Sequence, residues 1–218
     1  CEELSGQKSV YEAEVEVDCD TDAVPIKSKR VVKEVNRVFG GDAILVNENG
    51  GQDLWSYYSP YYQVTTGGHC VPPGEQTCMG IGVAGAIGAK LAMPEKRVVC
   101  ITGDGAFQMF MKELPTAVQY AAPVTWIVLN TDSLGWPKYH QKERLGGRYI
   151  ATDFLVQPDF TSIAKANRCF GERVEQPSEV RGALERALQA NEEGIPAVVD
   201  IVVDPWDFGP GFARFHQP

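Results

Sequence analysis

Four short apolar runs, separated by helical patterns, constrain this chain more than any other feature. Ala43-Ile44-Leu45-Val46, Val98-Val99-Cys100-Ile101-Thr102, Val124 to Leu129 and Ala197 to Val203 read as strands, and polar residues barely interrupt them. A strand with one wet face alternates polar and apolar side chains, whereas one covered on both faces does not need to. Between the runs, Lys27 through Phe39 places Val31, Val32, Val35 and Val38 at helical spacing and ends before Gly40-Gly41. Met79 to Ala92 is a helical stretch rich in small residues. Phe107 to Tyr120 is a broken one, with Pro115 starting its second half, and Asp159 and Ser178 have the character of helix N-caps. Buried strands alternating with helices predict an α/β domain: a doubly wound, mostly parallel sheet with helices on both faces.

At 218 residues the chain suits one large domain with a substantial core. Its net charge of −9 and pI near 4.9 argue against nucleic acid or an anionic membrane as the main partner. No apolar run approaches the roughly 18 residues of a membrane span, and no secretory signal precedes the domain. The six cysteines, at positions 1, 19, 70, 78, 100 and 169, include no C-x-x-C pair, and Cys100 lies inside an apolar run. These features lead us to expect a cytoplasmic protein with neither a disulfide framework nor a zinc site. The first residue is Cys1 rather than methionine, which fits a piece of a longer polypeptide.

Three segments follow from this reading. Residues 1–24 alternate Glu12, Glu14, Glu16, Asp18 and Asp20 with Ala13, Val15, Val17 and Cys19, without a clear amphipathic pattern. They are expected to form a linker or domain-edge segment, a solvent-edge strand being the alternative. Residues 25–205 form the domain, and residues 206–218 form either a lid over the site or a packed C-terminal arm.

The chemistry concentrates where two strands end. One delivers Gly103-Asp104-Gly105-Ala106-Phe107, the other Asn130-Thr131-Asp132-Ser133-Leu134-Gly135. In open α/β sheets ligands bind beyond the carboxyl ends of the strands. Glycines there let the backbone approach a phosphate, and the following helix points its positive end towards it. Asp104 would repel a bare phosphate, so the pattern makes sense only with a bridging cation, for which Mg²⁺ is the usual choice. Taken alone, Gly-Asp-Gly also reads as a tight turn with Asp104 as a helix cap.

The spacing favours the cation. Gly-Asp-Gly, an intervening helix and strand, and then an Asn-containing loop together resemble the thiamine-diphosphate signature. The likeness is to the diphosphate-binding domain of acetolactate synthases and related 2-oxo acid decarboxylases and carboligases. It extends to the Gly80–Ala89 helix, to Glu113-Leu114 and Thr116–Tyr120, to Pro158-Asp159-Phe160, and to Val199-Asp200 through Pro205. It covers roughly residues 25–205.

The resemblance implies a thiamine-diphosphate-binding fold, with thiamine diphosphate and Mg²⁺ as cofactors. Carried over by position, Asp104 is a metal ligand, Thr131 stands where the family has the ligating Asn, and Ser133 supplies a carbonyl; Asn130 is the alternative ligand. Gly103, Gly105, Ala106, Phe107, Leu134 and Gly135 belong to the same cofactor site. Gly50, Gly51 and Gln52 match a diphosphate-touching loop, with Gln52 in place of a histidine. Thr77 and Met79 match the stretch that meets the aminopyrimidine. There Met79 either bends the cofactor or is a core methionine at a helix start. His140 replaces a tryptophan that helps choose the second substrate, so it is expected to line the pocket. His69 is either a proton-handling residue or a structural one.

The implied chemistry is carboligation or decarboxylation of a 2-oxo acid. The alternatives are lysis of a 2-hydroxyacyl-CoA, or a silent cofactor-binding fragment. In this family a glutamate of the pyrimidine-binding domain activates the cofactor. No match for that domain is present, so it is expected on an upstream segment or a partner subunit of a homo-oligomer.

Overall fold

The computed structural model describes residues 2–74, 76–209 and 212. Six strands form one all-parallel sheet: β1 (Ile44–Asn47), β2 (His69–Val71), β3 (Val98–Gly103), β4 (Thr125–Asn130), β5 (Phe170–Val174) and β6 (Ala197–Val202). Their order is β2-β1-β3-β4-β6-β5. The central strands β1, β3 and β4 are buried almost throughout, as their unbroken apolar character requires.

Helices cover both faces. On one face α2 (Ser28–Phe39) and α8 (Val180–Glu192) bury Val31, Val35, Ala183 and Leu184 against Leu45, Ile101, Ile127 and Val199. On the other, α3 (Ile81–Ala92), α4 (Asp104–Phe110), α5 (Leu114–Gln119) and α7 (Phe160–Ala166) meet the alternate strand residues Val46, Cys100, Trp126 and Val198. The fold is doubly wound α/β. The indole of Trp126 donates to the Val83 carbonyl at 3.0 Å, which ties β4 to α3. Among the described residues, no helix is long and apolar enough to cross a membrane.

Several local expectations meet the structure differently. The acidic start, expected as a linker or an edge strand, is the helix α1 (Glu2–Cys19). Its acids serve ion pairing. Glu16 pairs with Lys33 at 2.6 Å and also with Arg37, Asp18 pairs with Lys29, and Val15 and Cys19 are buried. A helix held by charges facing the basic α2 needs no broad apolar stripe. Ser178 is not an N-cap: it sits in a 3-10 turn, Pro177–Glu179, leading into α8. Asp159 does cap α7, accepting from Ser162 N at 2.9 Å. Pro115 stands in the first turn of α5, where a missing N–H is tolerated.

Phe107 is fully buried in the second face, edge-on to Phe160 with ring centroids 5.3 Å apart. We expect Phe107→Ala to lower stability by about 3–5 kcal/mol, read from denaturant unfolding.

Candidate functional site

Strands β1, β3 and β4 lie side by side and point their carboxyl ends the same way. The chain leaves β1 on one side to make β2 and returns on the other to make β3. Such a reversal leaves a crevice beyond the strand ends. A cleft of about 370 Å³ opens there, walled by Asn49–Gln52 after β1, Gly103–Ala106 after β3, and Thr131 with Ser133–Pro137 after β4. Thr77 and Met79 close it from the approach to α3. A larger hollow of about 740 Å³ beside Glu16, Arg30, Glu34 and Arg181 is an open surface groove. Its Glu34 is already paired with three arginines.

At the base of the cleft Asp104 is almost completely buried. Its Oδ1 accepts from Gly105 N at 2.9 Å. Its Oδ2 accepts from Thr131 N and from the Gln157 amide, both at 3.0 Å. None of the ion pairs among the described residues involves it. Burial pushes its pKa up to about 6, while the donors from Gly105, Thr131, Gln157 and Ser133 pull the other way. Beside it the Thr131 hydroxyl donates to the Ser133 carbonyl at 3.0 Å. The loop that bears both is held by Leu134 N to Thr152 O and Phe154 N to Asp132 O. A buried carboxylate without a counter-charge, next to a hydroxyl and a carbonyl oxygen, is a donor set suited to a small hard cation.

Asn130 faces away from the cleft. Its amide donates to the buried Asp200 at 2.8 Å, and Asp200 is paired with Arg173 at 2.7 Å. Its Oδ1 takes Asp132 N and Gln157 Nε2. To replace Thr131 as a ligand, Asn130 would have to give up these bonds.

Two glycines are required by close approach. A Cβ on Gly105 would lie 2.7 Å from the Leu134 side chain and 3.6 Å from Met79 Cε, so Met79 reaches across the start of α4. A Cβ on Gly51 would lie 2.3 Å from the Phe208 ring. Thr77 has φ +42°, a left-handed conformation that a β-branched residue rarely adopts. Its carbonyl takes the Asn49 amide at 2.8 Å, joining the two loops.

Of the residues singled out in the sequence, Gly50, Gly51, Gln52, Thr77, Met79, Gly103, Asp104, Gly105, Ala106, Thr131, Ser133, Leu134 and Gly135 all line this cleft. Phe107 does not, because α4 turns its side chain into the core. His140 does not line it either. It lies on α6 (Gly135–Arg144) and accepts the indole N–H of Trp136 at 3.1 Å, so it backs the wall that Trp136 forms. His69 pairs opposite Ile44 at the start of β1, the end of the sheet remote from the cleft. Glu48 is buried and caps α3, its Oε2 accepting from Gly82 N at 3.0 Å. Glu75 lies outside the described residues.

The arm at 206–212 is packed where it is described. Phe208 stacks on Phe212 at 4.5 Å, and Tyr139 and Trp136 meet these rings edge-on. Trp136 and Pro137, which also line the cleft, were not singled out in the sequence although they directly follow Gly135.

Doubly wound α/β domains form a class that binds its ligands in strand-end clefts of this kind. The sequence matches the family described as thiamine pyrophosphate enzyme, C-terminal TPP binding domain, over residues 53–201, and the chain belongs to that family. It is 33% identical over 193 residues to a probable acetolactate synthase large subunit of Methanococcus aeolicus, covering 85% of this chain and 31% of that protein. It is 34% identical over 185 residues to the acetolactate synthase isozyme 3 large subunit of Escherichia coli, covering 85% and 32%. Among solved structures, a thiamine diphosphate-dependent 4-hydroxybenzoylformate decarboxylase of Rhodococcus jostii superimposes with a TM-score of 0.73 at 25% identity, over 85% of this chain and 34% of that one. The chain thus spans about a third of the length of the relatives it matches.

Directly after the Gly50–Gln52 loop comes another buried acid, Asp53. Neither of its oxygens makes a well-formed hydrogen bond among the described residues, and the backbone N–H groups of Asp53, Gly50 and Leu54 only partly offset its burial. Burial, and then the charge of Glu48, raise its pKa well above the usual carboxylate value. The folded protein therefore keeps the Asp53 proton after the unfolded chain has lost its own. Stability from this group is present in acid and falls as pH rises above the unfolded carboxylate's pKa, near 3.8. We expect Asp53→Asn to unfold at a higher temperature than wild type at pH 7 and to depend less on pH between about 4 and 8. A thermal melt series across pH measures both.

Proposed function

We propose that this domain holds the diphosphate of thiamine diphosphate through Mg²⁺ in the cleft at the ends of β1, β3 and β4. In this reading it serves an enzyme that makes or breaks a C–C bond next to a carbonyl. The observation that supports the reading most is the uncompensated buried charge of Asp104 beside the Thr131 hydroxyl and the Ser133 carbonyl. Asp104 supplies the one formal negative charge, and Thr131 and Ser133 supply neutral oxygens. The Thr131 hydroxyl donates its proton to Ser133 and keeps lone pairs free for a cation. A threonine hydroxyl is a weaker donor than the family's amide oxygen, and it leaves the cation less tightly held.

When bound, thiamine diphosphate supplies a nucleophilic carbon and an electron sink for the carbanion left after C–C cleavage. The residues of this chain bind, orient and exclude water. Gly50, Gly51 and Gly105 let the backbone come close to the diphosphate. Met79, reaching over Gly105, supports the bend that brings the aminopyrimidine towards the thiazolium. Leu134, Trp136 and Pro137 line the cleft with apolar surface where a 2-oxo acid would react. Asp104 is the one acid lining the cleft among the described residues, and the metal occupies it. The acid that sets the aminopyrimidine's tautomer is therefore assigned to a pyrimidine-binding domain, on the same polypeptide or a partner subunit.

Two measurements test this. Asp104→Ala should abolish Mg²⁺-dependent thiamine diphosphate binding in calorimetry while circular dichroism stays native; unchanged affinity rules out the metal assignment. Thr131→Asn should hold or raise that affinity. In a decarboxylation assay with saturating Mg²⁺ and cofactor, we expect the 218-residue chain alone to turn over pyruvate no faster than free cofactor. Adding a pyrimidine-binding domain should raise the rate by about 10²–10⁴-fold, the range of positioned proton transfer. Turnover by the lone chain would place the activating acid within it.

A further inference from the structure

Gln157 lies 53 residues beyond Asp104 and 27 beyond Asn130, outside both sequence motifs, yet it touches each of them. One Nε2 group donates to Asp104 Oδ2 and to Asn130 Oδ1, both at 3.0 Å. An amide nitrogen carries two protons, so both contacts are full hydrogen bonds. The other end of the amide is fixed as well: its Oε1 accepts from Gln108 Nε2 on α4 at 2.7 Å. Asn130 is in turn anchored to the Asp200–Arg173 pair. A continuous line of bonds thus runs from Arg173 through Asp200, Asn130 and Gln157 to Asp104. It ends on Oδ2, the carboxylate oxygen that Gly105 N does not bond.

We propose that Gln157 is a positioning residue that orients the Asp104 carboxylate for the cation; the proposal rests on the reading of Asp104 as a metal ligand given above. The chemistry of an amide suits this task. A lysine or arginine at this place would steady Asp104 but cancel the charge that attracts a cation. Gln157 fixes the oxygen and leaves that charge intact. The need is sharpened by Thr131, since a site with one weak ligand depends more on the exact direction of its strong one. Gln157 also joins the ends of β3 and β4, because Asp104 follows the first strand and Asn130 closes the second. The segment leading to it is bonded at Thr152 and Phe154 to the Thr131–Leu134 loop.

The test uses the 218-residue chain, Gln157→Ala, and Gln157→Met, which keeps the side-chain length but donates nothing. Mg²⁺ and Ca²⁺ affinities are measured by calorimetry at saturating thiamine diphosphate, with thermal unfolding to establish that each variant is folded. Loss of an outer hydrogen bond to a ligand typically costs about 10–100-fold in metal affinity, and we expect that loss for Mg²⁺ in both variants. Mg²⁺ demands near-octahedral geometry and Ca²⁺ does not, so Ca²⁺ affinity should fall less and the preference for Mg²⁺ should narrow. A purely structural role for Gln157 would leave that preference unmoved. In metal-free wild type, the Gln157 side-chain amide protons should exchange slowly by NMR, and should lose that protection in Asp104→Ala. Variants that match wild type in affinity and preference overturn the positioning role alone. Unprotected Gln157 protons in wild type overturn the bridge itself. Wild type that binds neither cation overturns the metal reading, and this proposal with it.

Discussion

The carboxylate of Asp104, buried at the base of the cleft without a counter-charge, is what the site is arranged around. Asp104 comes off the end of a fully buried strand, where solvent cannot screen it, and the fold surrounds it with neutral donors rather than a base. Two backbone N–H groups and one amide hold its oxygens, while the neighbouring Asn130 is anchored to the Asp200–Arg173 ion pair. Burying a charge in this way is costly, and the usual response is neutralisation or a partner. The raised pKa records that tension. A bound cation would relieve it, so that ligand binding and the stability of this region are coupled.

Much of this was legible because it is local. The apolar runs gave the strands, the Gly-Asp-Gly turn and the Asn130–Gly135 loop lay at their ends, and a parallel sheet brings such ends together by construction. Thirteen of the cofactor-site positions chosen from the sequence therefore meet in one cleft. The failures share a different cause. Phe107 is contiguous with the motif, but adjacency in sequence does not tell which way a helical turn points a side chain. For His69 the sequence leaves a proton-handling and a structural role open, and only the register of β2 against Ile44, at the far end of the sheet, favours the structural one.

The features missed altogether depend on distant partners. Nothing in the acidic alternation of α1 marks it as a helix until the basic face of α2 is set beside it, because its binding is ionic rather than apolar. Gln157 carries no motif of its own, and only the geometry of the strap shows its contacts with residues in two separate loops. His140 was expected in the pocket, but it stands one layer behind, fixing Trp136 by its indole.

The C-terminal arm has a consequence for how the domain is made. Gln52 donates to the Pro205 carbonyl, Trp55 to that of Asp207, and Gly209 to that of Gly51. The loop after the first strand is thus braced by residues more than 150 positions later in the chain. Contacts of such separation form only after a large loss of chain entropy. During synthesis the sheet can assemble from β1 to β6 while one wall of the cleft is still without its brace. The Gly50–Gln52 loop thus gains its brace only once the chain beyond the last strand has been made.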